Sequence, residues 1–198
     1  MNEITVNEIK NYQQILARAL EILPNQEDAV LFEQSLHIIS IISQYQIFEL
    51  ADEVFKIMEI KDLRSLAIET LGFWLHLPWF KEQAYEIFVN DPDLEVKFSA
   101  LLSWTSYYTG SKDPIVLEKL YMILINDNNP IPIRKVALTG ILNVSDFNYK
   151  KSDPVMANLM NITSKKPFHE QIDWSIIIKI MKTYVPKTLK IYPIKIFN

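Results

Sequence analysis

Three stretches of the chain repeat one pattern: Leu63-Arg64-Ser65-Leu66-Ala67-Ile68, Val96-Lys97-Phe98-Ser99-Ala100-Leu101 and Ile133-Arg134-Lys135-Val136-Ala137-Leu138. They begin 33 and 37 residues apart. With the first residue of each as i, positions i, i+4, i+8 and i+11 are apolar: Leu63/Ala67/Leu71/Trp74, Val96/Ala100/Trp104/Tyr107 and Ile133/Ala137/Ile141/Val144. These offsets share one face of an α-helix, and the small Ala at i+4 lets a partner helix approach closely. Such a period of helix pairs predicts an α-solenoid.

Prolines separate the segments that have helical periodicity, because proline is costly inside a helix. Five helix pairs are predicted: Tyr12–Leu23 with Asp28–Tyr45, Phe48–Met58 with Asp62–Leu77, Lys81–Val89 with Asp93–Thr109, Ile115–Ile125 with Ile131–Val144, and Asp153–Thr163 with Glu170–Tyr184. An Asp side chain can accept the free amide hydrogens at a helix start. The expected caps are Asp62, Asp93, Asp113 and Asp153.

The repeated pattern, apolar–Arg/Lys–x–x–Ala–apolar after an Asp-containing turn, resembles HEAT repeats. The turns that carry this resemblance are Asn90-Asp91-Pro92-Asp93 and Asn126-Asp127-Asn128-Asn129-Pro130. The resemblance implies an all-α fold, a right-handed α–α superhelix (α-solenoid) of about five HEAT-like helix pairs. It covers one domain over 1–198, is clearest over 47–145, and leaves 186–198 as a C-terminal tail. A tetratricopeptide-like alternative rests on residues 19–25, but the Trp–Leu–Gly–Tyr pattern of that family does not recur.

Composition excludes several classes of protein. The chain has 198 residues, 49% of them hydrophobic, which suits one sizeable core. It has no Cys and only 3 Gly, which excludes disulfides, thiolate metal sites and Gly-rich phosphate loops. The net charge is −4, but residues 1–163 sum to −9 and residues 164–198 to +5. The basic tail is expected to pack across the last repeat, with a partner-binding or membrane-surface segment as the alternative.

Arg64, Lys97 and Arg134 occupy equivalent repeat positions. One interpretation is a ladder in which each cation pairs with a turn carboxylate such as Asp93 or Asp127, as the resemblance implies. The other is a row of cations that faces an acidic partner.

A polar stripe is expected opposite the apolar face of each second helix, and similar solenoids place it on the concave surface. It is either an ordinary solvated face or a shallow groove for a protein partner, since repeat surfaces are extended. Among the aromatic residues, Trp74, Trp104 and Tyr107 are expected in the core, whereas turn aromatics are expected to be partly exposed. Trp and Tyr are favoured interface anchors. The resulting candidate partner-binding residues are Glu69, His76, Trp79, Ser103, Tyr108, Lys135 and Asn143.

Catalysis finds little support in the sequence, so no enzyme activity, cofactor or metal is predicted. His37, His76 and His169 share no metal-ligand spacing, and His37 is expected in the core or at an interface. HEAT-like alkylpurine DNA glycosylases are the enzyme alternative, with bilin lyases a more distant one. The glycosylases use a strongly basic concave surface, whereas residues 1–163 carry −9 and would repel phosphate.

The expected function is therefore non-catalytic protein binding, as an adaptor or inhibitor. An acidic body suits a basic partner, and an immunity or antitoxin protein against a basic nuclease toxin is one concrete form. The N-terminus shows no secretory signal pattern and no apolar run reaches membrane-spanning length. A cytoplasmic protein without nucleic-acid or membrane binding is expected.

Overall fold

The computed structural model describes residues 4–147, 162–163, 166–185 and 187, and this part of the chain is helical without strands. The chain forms two compact units, Met1–Tyr107 and Tyr108–Asn198, a division that the repeat pattern does not predict. The α-helices are α1 Val6–Ile22, α2 Ala29–Tyr45, α3 Ala51–Ile57, α4 Arg64–Glu69, α5 Lys81–Asn90, α6 Leu94–Ser106, α7 Pro114–Ile125, α8 Ile131–Val144 and α9 Trp174–Tyr184. The all-α prediction is confirmed for the described residues.

The first unit starts with a capping box. The Thr5 hydroxyl accepts from the Glu8 amide, and the Glu8 carboxylate accepts from the Thr5 amide at 2.7 Å. The Glu8 carboxylate also lies 2.7 Å from the Thr5 hydroxyl, which donates to it, and the bonds from this hydroxyl and from the Thr5 amide lower the pKa of Glu8. The capping box satisfies amide hydrogens that a helix start leaves free, so α1 begins at Val6 rather than at the predicted Tyr12.

Short 3₁₀ helices lead into three α-helices of this unit. They are Phe48–Leu50 before α3, Lys61–Leu63 before α4 and Pro78–Phe80 before α5. Within the unit, α1 packs on α2 and α3, and α6 packs on both α4 and α5. The helices of the three predicted pairs in this unit, α1 with α2, α3 with α4 and α5 with α6, are therefore in contact.

Burial confirms most of the repeated apolar face. The first three positions of each repeat are at most 3% exposed: Leu63, Ala67, Leu71, Val96, Ala100, Trp104, Ile133, Ala137 and Ile141. The three alanines are completely buried, as the close approach of a neighbouring helix requires.

In the second unit, α7 packs against α8 and α9. The α7 helix begins at Pro114 with Asp113 as its cap, and α8 has the predicted bounds Ile131–Val144. The last helix starts at Trp174, four residues later than predicted, after a 3₁₀ turn at Phe168–Gln171.

The predicted caps divide into three groups. Asp93 and Asp113 are confirmed, since each carboxylate accepts two backbone amides at the start of its helix. The prediction for Asp62 is wrong, because the 3₁₀ turn at Lys61–Leu63 has no side-chain cap. Asp153, most of the helix predicted at 153–163 and nearly all of the 186–198 tail lie outside the described residues.

Among the described residues, none of the helices combines the length and the apolar character that crossing a membrane requires.

Candidate protein-binding surface

A π-helical turn, Thr70–Trp74, continues α4 and changes which residues face the core. The Leu75 amide donates to the Thr70 carbonyl at 2.8 Å, five residues back. A π turn inserts one residue into the α-helical spacing, so the residues after it move off register by one position. Leu75, at i+12, is 3% exposed, whereas Trp74, at i+11, is 44% exposed. The prediction that Trp74 belongs to the core is therefore wrong, and Leu75 takes its place.

Neighbouring helices hold the π turn. Thr70 is buried, and its hydroxyl lies 2.9 Å from the Ser43 hydroxyl of α2 and donates to the Leu66 carbonyl at 2.8 Å. The turn displays Phe73 and Trp74 edge to face with their ring centroids 5.2 Å apart. Two adjacent aromatic side chains are thus exposed.

His76 follows the π turn in a left-handed backbone conformation, with φ of 51°. This region is uncommon for a residue other than glycine. The exposed imidazole stacks on Tyr107 with ring centroids 4.2 Å apart, and its Nδ1 lies 3.5 Å from the Ser106 hydroxyl. Neighbours from α6 and the residue after it therefore orient the predicted site residue His76.

Tyr107 is half-buried rather than a full core residue, and its hydroxyl donates to the Leu77 carbonyl at 2.7 Å. Desolvation by burial raises the pKa of Tyr107 to about 12. The hydroxyl therefore stays protonated well into the alkaline range, and its bond to Leu77 ties the segment after His76 to the end of α6.

Trp79 lies in the 3₁₀ turn at Pro78–Phe80 and is 51% exposed, as expected of a turn aromatic. Its ring makes edge contacts with Phe55 at 5.5 Å and with the fully buried Phe80 at 5.8 Å. The sequence interpretation missed Phe55. The signal was the spacing of Phe48, Asp52 and Phe55, which are all exposed on one side of the α3 segment.

Ser103 does not belong to an open groove, and its assignment to a partner-binding surface is corrected. The side chain is completely buried and its hydroxyl donates to the Ile68 carbonyl of α4 at 3.2 Å. Gly72, expected on the polar stripe of the preceding repeat, is also buried, and an added Cβ there would lie 2.7 Å from the Ser103 hydroxyl oxygen. Both are small because α6 crosses α4 and the π turn here.

The remaining candidates divide between the two units. Glu69 is half-buried in the first unit, which also holds His76 and Trp79. Tyr108, Lys135 and Asn143 are half-buried in the second unit. The Asn143 carbonyl there accepts from the Gly110 and Asp146 amides at 2.8 and 3.1 Å. Partner contact by any of these side chains stays a prediction.

The three equivalent cations share one contact: each donates to a carbonyl at the end of the preceding helix. Arg64 reaches Met58 at 2.8 Å, Lys97 reaches Val89 at 3.3 Å, and Arg134 reaches Leu124 at 2.8 Å. A cation at a helix C-terminus satisfies carbonyls that lack an intrahelical partner and complements the helix dipole.

Ion pairs accompany two of these carbonyl bonds. Arg134 pairs with Asp127 at 2.8 Å, as predicted, and Arg64 pairs with Asp91 at 3.3 Å. The predicted pairing role of Asp93 is wrong, because its carboxylate instead accepts the Glu95 and Val96 amides as the cap of α6. The cations thus fix helix ends, which favours the structural ladder over a row aimed at a partner.

The histidines and carboxylates in the described part of the chain do not form a further candidate site. His37 is exposed, so the expected core position is wrong, because Ile38, Ile39 and Ile42 form the buried side of α2. Its expected interface position stays a prediction. Among the described residues, no group of three His, Cys, Asp or Glu side chains could hold a metal ion.

The two units differ in charge. Met1–Tyr107 contains 7 Lys and Arg against 17 Asp and Glu, a net charge of −10. Tyr108–Asn198 contains 13 against 7, a net charge of +6. The acidity predicted for residues 1–163 therefore belongs to the first unit, which also displays Phe55, Trp74 and Trp79.

Comparison with known proteins adds no assignment: no protein-family model, curated protein or solved structure matches the chain.

Proposed function

We propose that this chain is a non-catalytic protein-binding protein whose acidic first unit recognises a basic protein partner. The observation that carries the proposal is the coincidence of a −10 net charge with exposed aromatic rings in one compact unit. Complementary charge speeds the encounter of two proteins, and aromatic side chains supply contact area once they meet.

The chain is also proposed to be a HEAT-like repeat protein, with its helix pairs stacked as a right-handed solenoid. The support comes from equivalent positions of the individual repeats. The first three apolar positions of each repeat are buried, and the equivalent cations make equivalent carbonyl bonds. Repeat architectures of this kind offer extended surfaces that suit recognition of another protein.

A cytoplasmic immunity or antitoxin-type inhibitor is the concrete form we favour. A nuclease toxin is basic because it must bind phosphate, and an acidic inhibitor complements that surface. The same acidity disfavours the alkylpurine DNA glycosylase alternative, because a −10 unit repels a DNA backbone.

The test is affinity capture from the native cell, followed by reconstitution of the complex from purified chain and purified partner. The expected partner is basic, and titration calorimetry should show affinity that falls as NaCl increases, because screening weakens charge attraction. A duplex DNA oligonucleotide serves as the competing ligand. Tight duplex binding at low salt with a steep salt dependence, or an acidic partner whose affinity is independent of salt, contradicts the proposal.

A further inference from the structure

We infer that the Phe55–Trp79 pair, flanked by the carboxylates of Asp52 and Glu82, is a binding site for Arg or Lys side chains of a basic polypeptide partner. This inference rests on the proposed function, since it names the part of the acidic unit that meets the partner.

The aromatic part of the site is exposed and firmly placed. Trp79 is 51% exposed. The planes of the Phe55 and Phe80 rings lie at 78° and 86° to the plane of its indole, so both rings make T-shaped contacts with it. Phe80 is completely buried, so it anchors the indole to the core. Trp is the aromatic side chain that attracts a cation most strongly, and a ring already fixed loses little conformational entropy when the cation binds.

The carboxylates follow the aromatics at helical spacing. Asp52 precedes Phe55 by three residues on α3, and Glu82 follows Trp79 by three residues where the 3₁₀ turn enters α5. Residues three apart on a helix are surface neighbours. Both carboxylates are exposed, and across the described ranges neither forms an ion pair or a side-chain hydrogen bond. Each therefore has acceptor capacity for a guanidinium or ammonium group.

The local charge also favours a cation. Residues 48–59 contain Glu49, Asp52, Glu53 and Glu59 against one cation, Lys56. Lys81 is the cation next to Glu82, so the site as a whole remains net negative. A phosphate-bearing ligand would be repelled here, which separates this surface from a nucleic-acid site.

The experiment uses the full chain and a fluorescein-labelled octa-arginine peptide, with binding measured by fluorescence anisotropy. Trp79→Ala should raise Kd roughly three- to thirtyfold, the range expected for loss of a cation–π contact. Tyr45→Ala is the matched control because its ring, at the end of α2, is also about half exposed. It should change Kd by less than about twofold.

A second pair of variants tests the carboxylates. Asp52→Asn with Glu82→Gln removes two negative charges, and Glu27→Gln with Glu33→Gln removes two charges from exposed positions elsewhere in the same unit. The first double variant should weaken octa-arginine binding several-fold more than the second. Circular dichroism melts of all variants show whether each remains folded.

If Trp79→Ala does not fold, the indole ¹⁵N resonances of the wild-type chain replace it. Trp79 is identified from Trp79→Phe, and its resonance should shift on addition of octa-arginine while that of buried Trp104 does not. Equal effects of Trp79→Ala and Tyr45→Ala, equal effects of both charge pairs, or an unmoved Trp79 resonance overturn this site. If binding is still present and weakened by salt, the proposed function survives. Absence of octa-arginine binding to the wild-type chain overturns this site and argues against the acidic unit as the recognition surface.

Discussion

Gly72 illustrates how a single small residue sets the approach of two elements in the first unit. An added Cβ would lie too close to the Cβ of Ser103 and 2.7 Å from its hydroxyl oxygen, on a helix that is itself packed. Gly72→Ala should therefore destabilise the chain by about 1–3 kcal/mol, the usual cost of overpacking. Urea unfolding followed by tryptophan fluorescence measures the change.

The rescue variant makes this prediction specific. Ser103→Gly removes the atoms that the new methyl group would meet, so it should recover part of the stability that Gly72→Ala loses. A Gly72→Ala variant of unchanged stability would show that the π turn and α6 are far enough apart to accept a methyl group.

The raised pKa of Tyr107 predicts that folding stability depends on pH in alkaline solution. Its pKa is raised to about 12 by burial, against about 10 in an unfolded chain. Above pH 10 the unfolded chain loses this proton while the folded chain keeps it, so folding stability should fall between pH 10 and pH 12. Tyr107→Phe should flatten this part of the stability curve, measured by urea unfolding across that range. If the fall in stability between pH 10 and pH 12 is the same in Tyr107→Phe as in the wild-type chain, this role of Tyr107 is contradicted.

At the scale of the element, the two Asp residues before α4 and α6 provide a matched comparison. Asp93 accepts amides of Glu95 and Val96 at 2.8 and 3.3 Å, whereas Asp62 caps no helix. Asp93→Ala should cost about 1 kcal/mol of stability, and Asp62→Ala should be close to neutral. Thermal melts of the two variants decide between this assignment and the cap pattern predicted from sequence, in which both would cost the same.

The π turn after α4 explains why an element can be predicted while its last residues are misplaced. Regular spacing from Leu63 places Trp74 on the core face, and the inserted residue moves Leu75 there instead. The insertion comes with Thr70 bonded to Ser43, 27 residues away in sequence. No local pattern reports such a contact, so helix existence was predictable and the exposure of Trp74 was not.

At the scale of the whole molecule, the net charge of −10 on the first unit causes electrostatic repulsion that destabilises the folded unit, and salt should screen this repulsion. Screening lengths fall from about 30 Å at 0.01 M salt to about 8 Å at 0.15 M. The melting temperature of the first unit should therefore rise by a few degrees over this range. Trp174→Phe leaves fluorescence that reports only this unit, because Trp74, Trp79 and Trp104 all belong to it. A melting temperature that falls with salt would indicate that ion pairs such as Arg64–Asp91 outweigh the repulsion.

The sequence by itself determined that the described part of the chain is helical, the first three buried positions of each repeat and the acidic character of the first unit. Those properties depend on residue type at spacings of three and four, which the chain encodes locally. Tertiary structure alone decided that Ser103 is buried, that Trp74 is exposed, and that Phe55 meets Trp79. Each of these depends on which elements cross and how closely. Contacts between residues 24 or more positions apart follow from packing, and no periodicity along the chain specifies them.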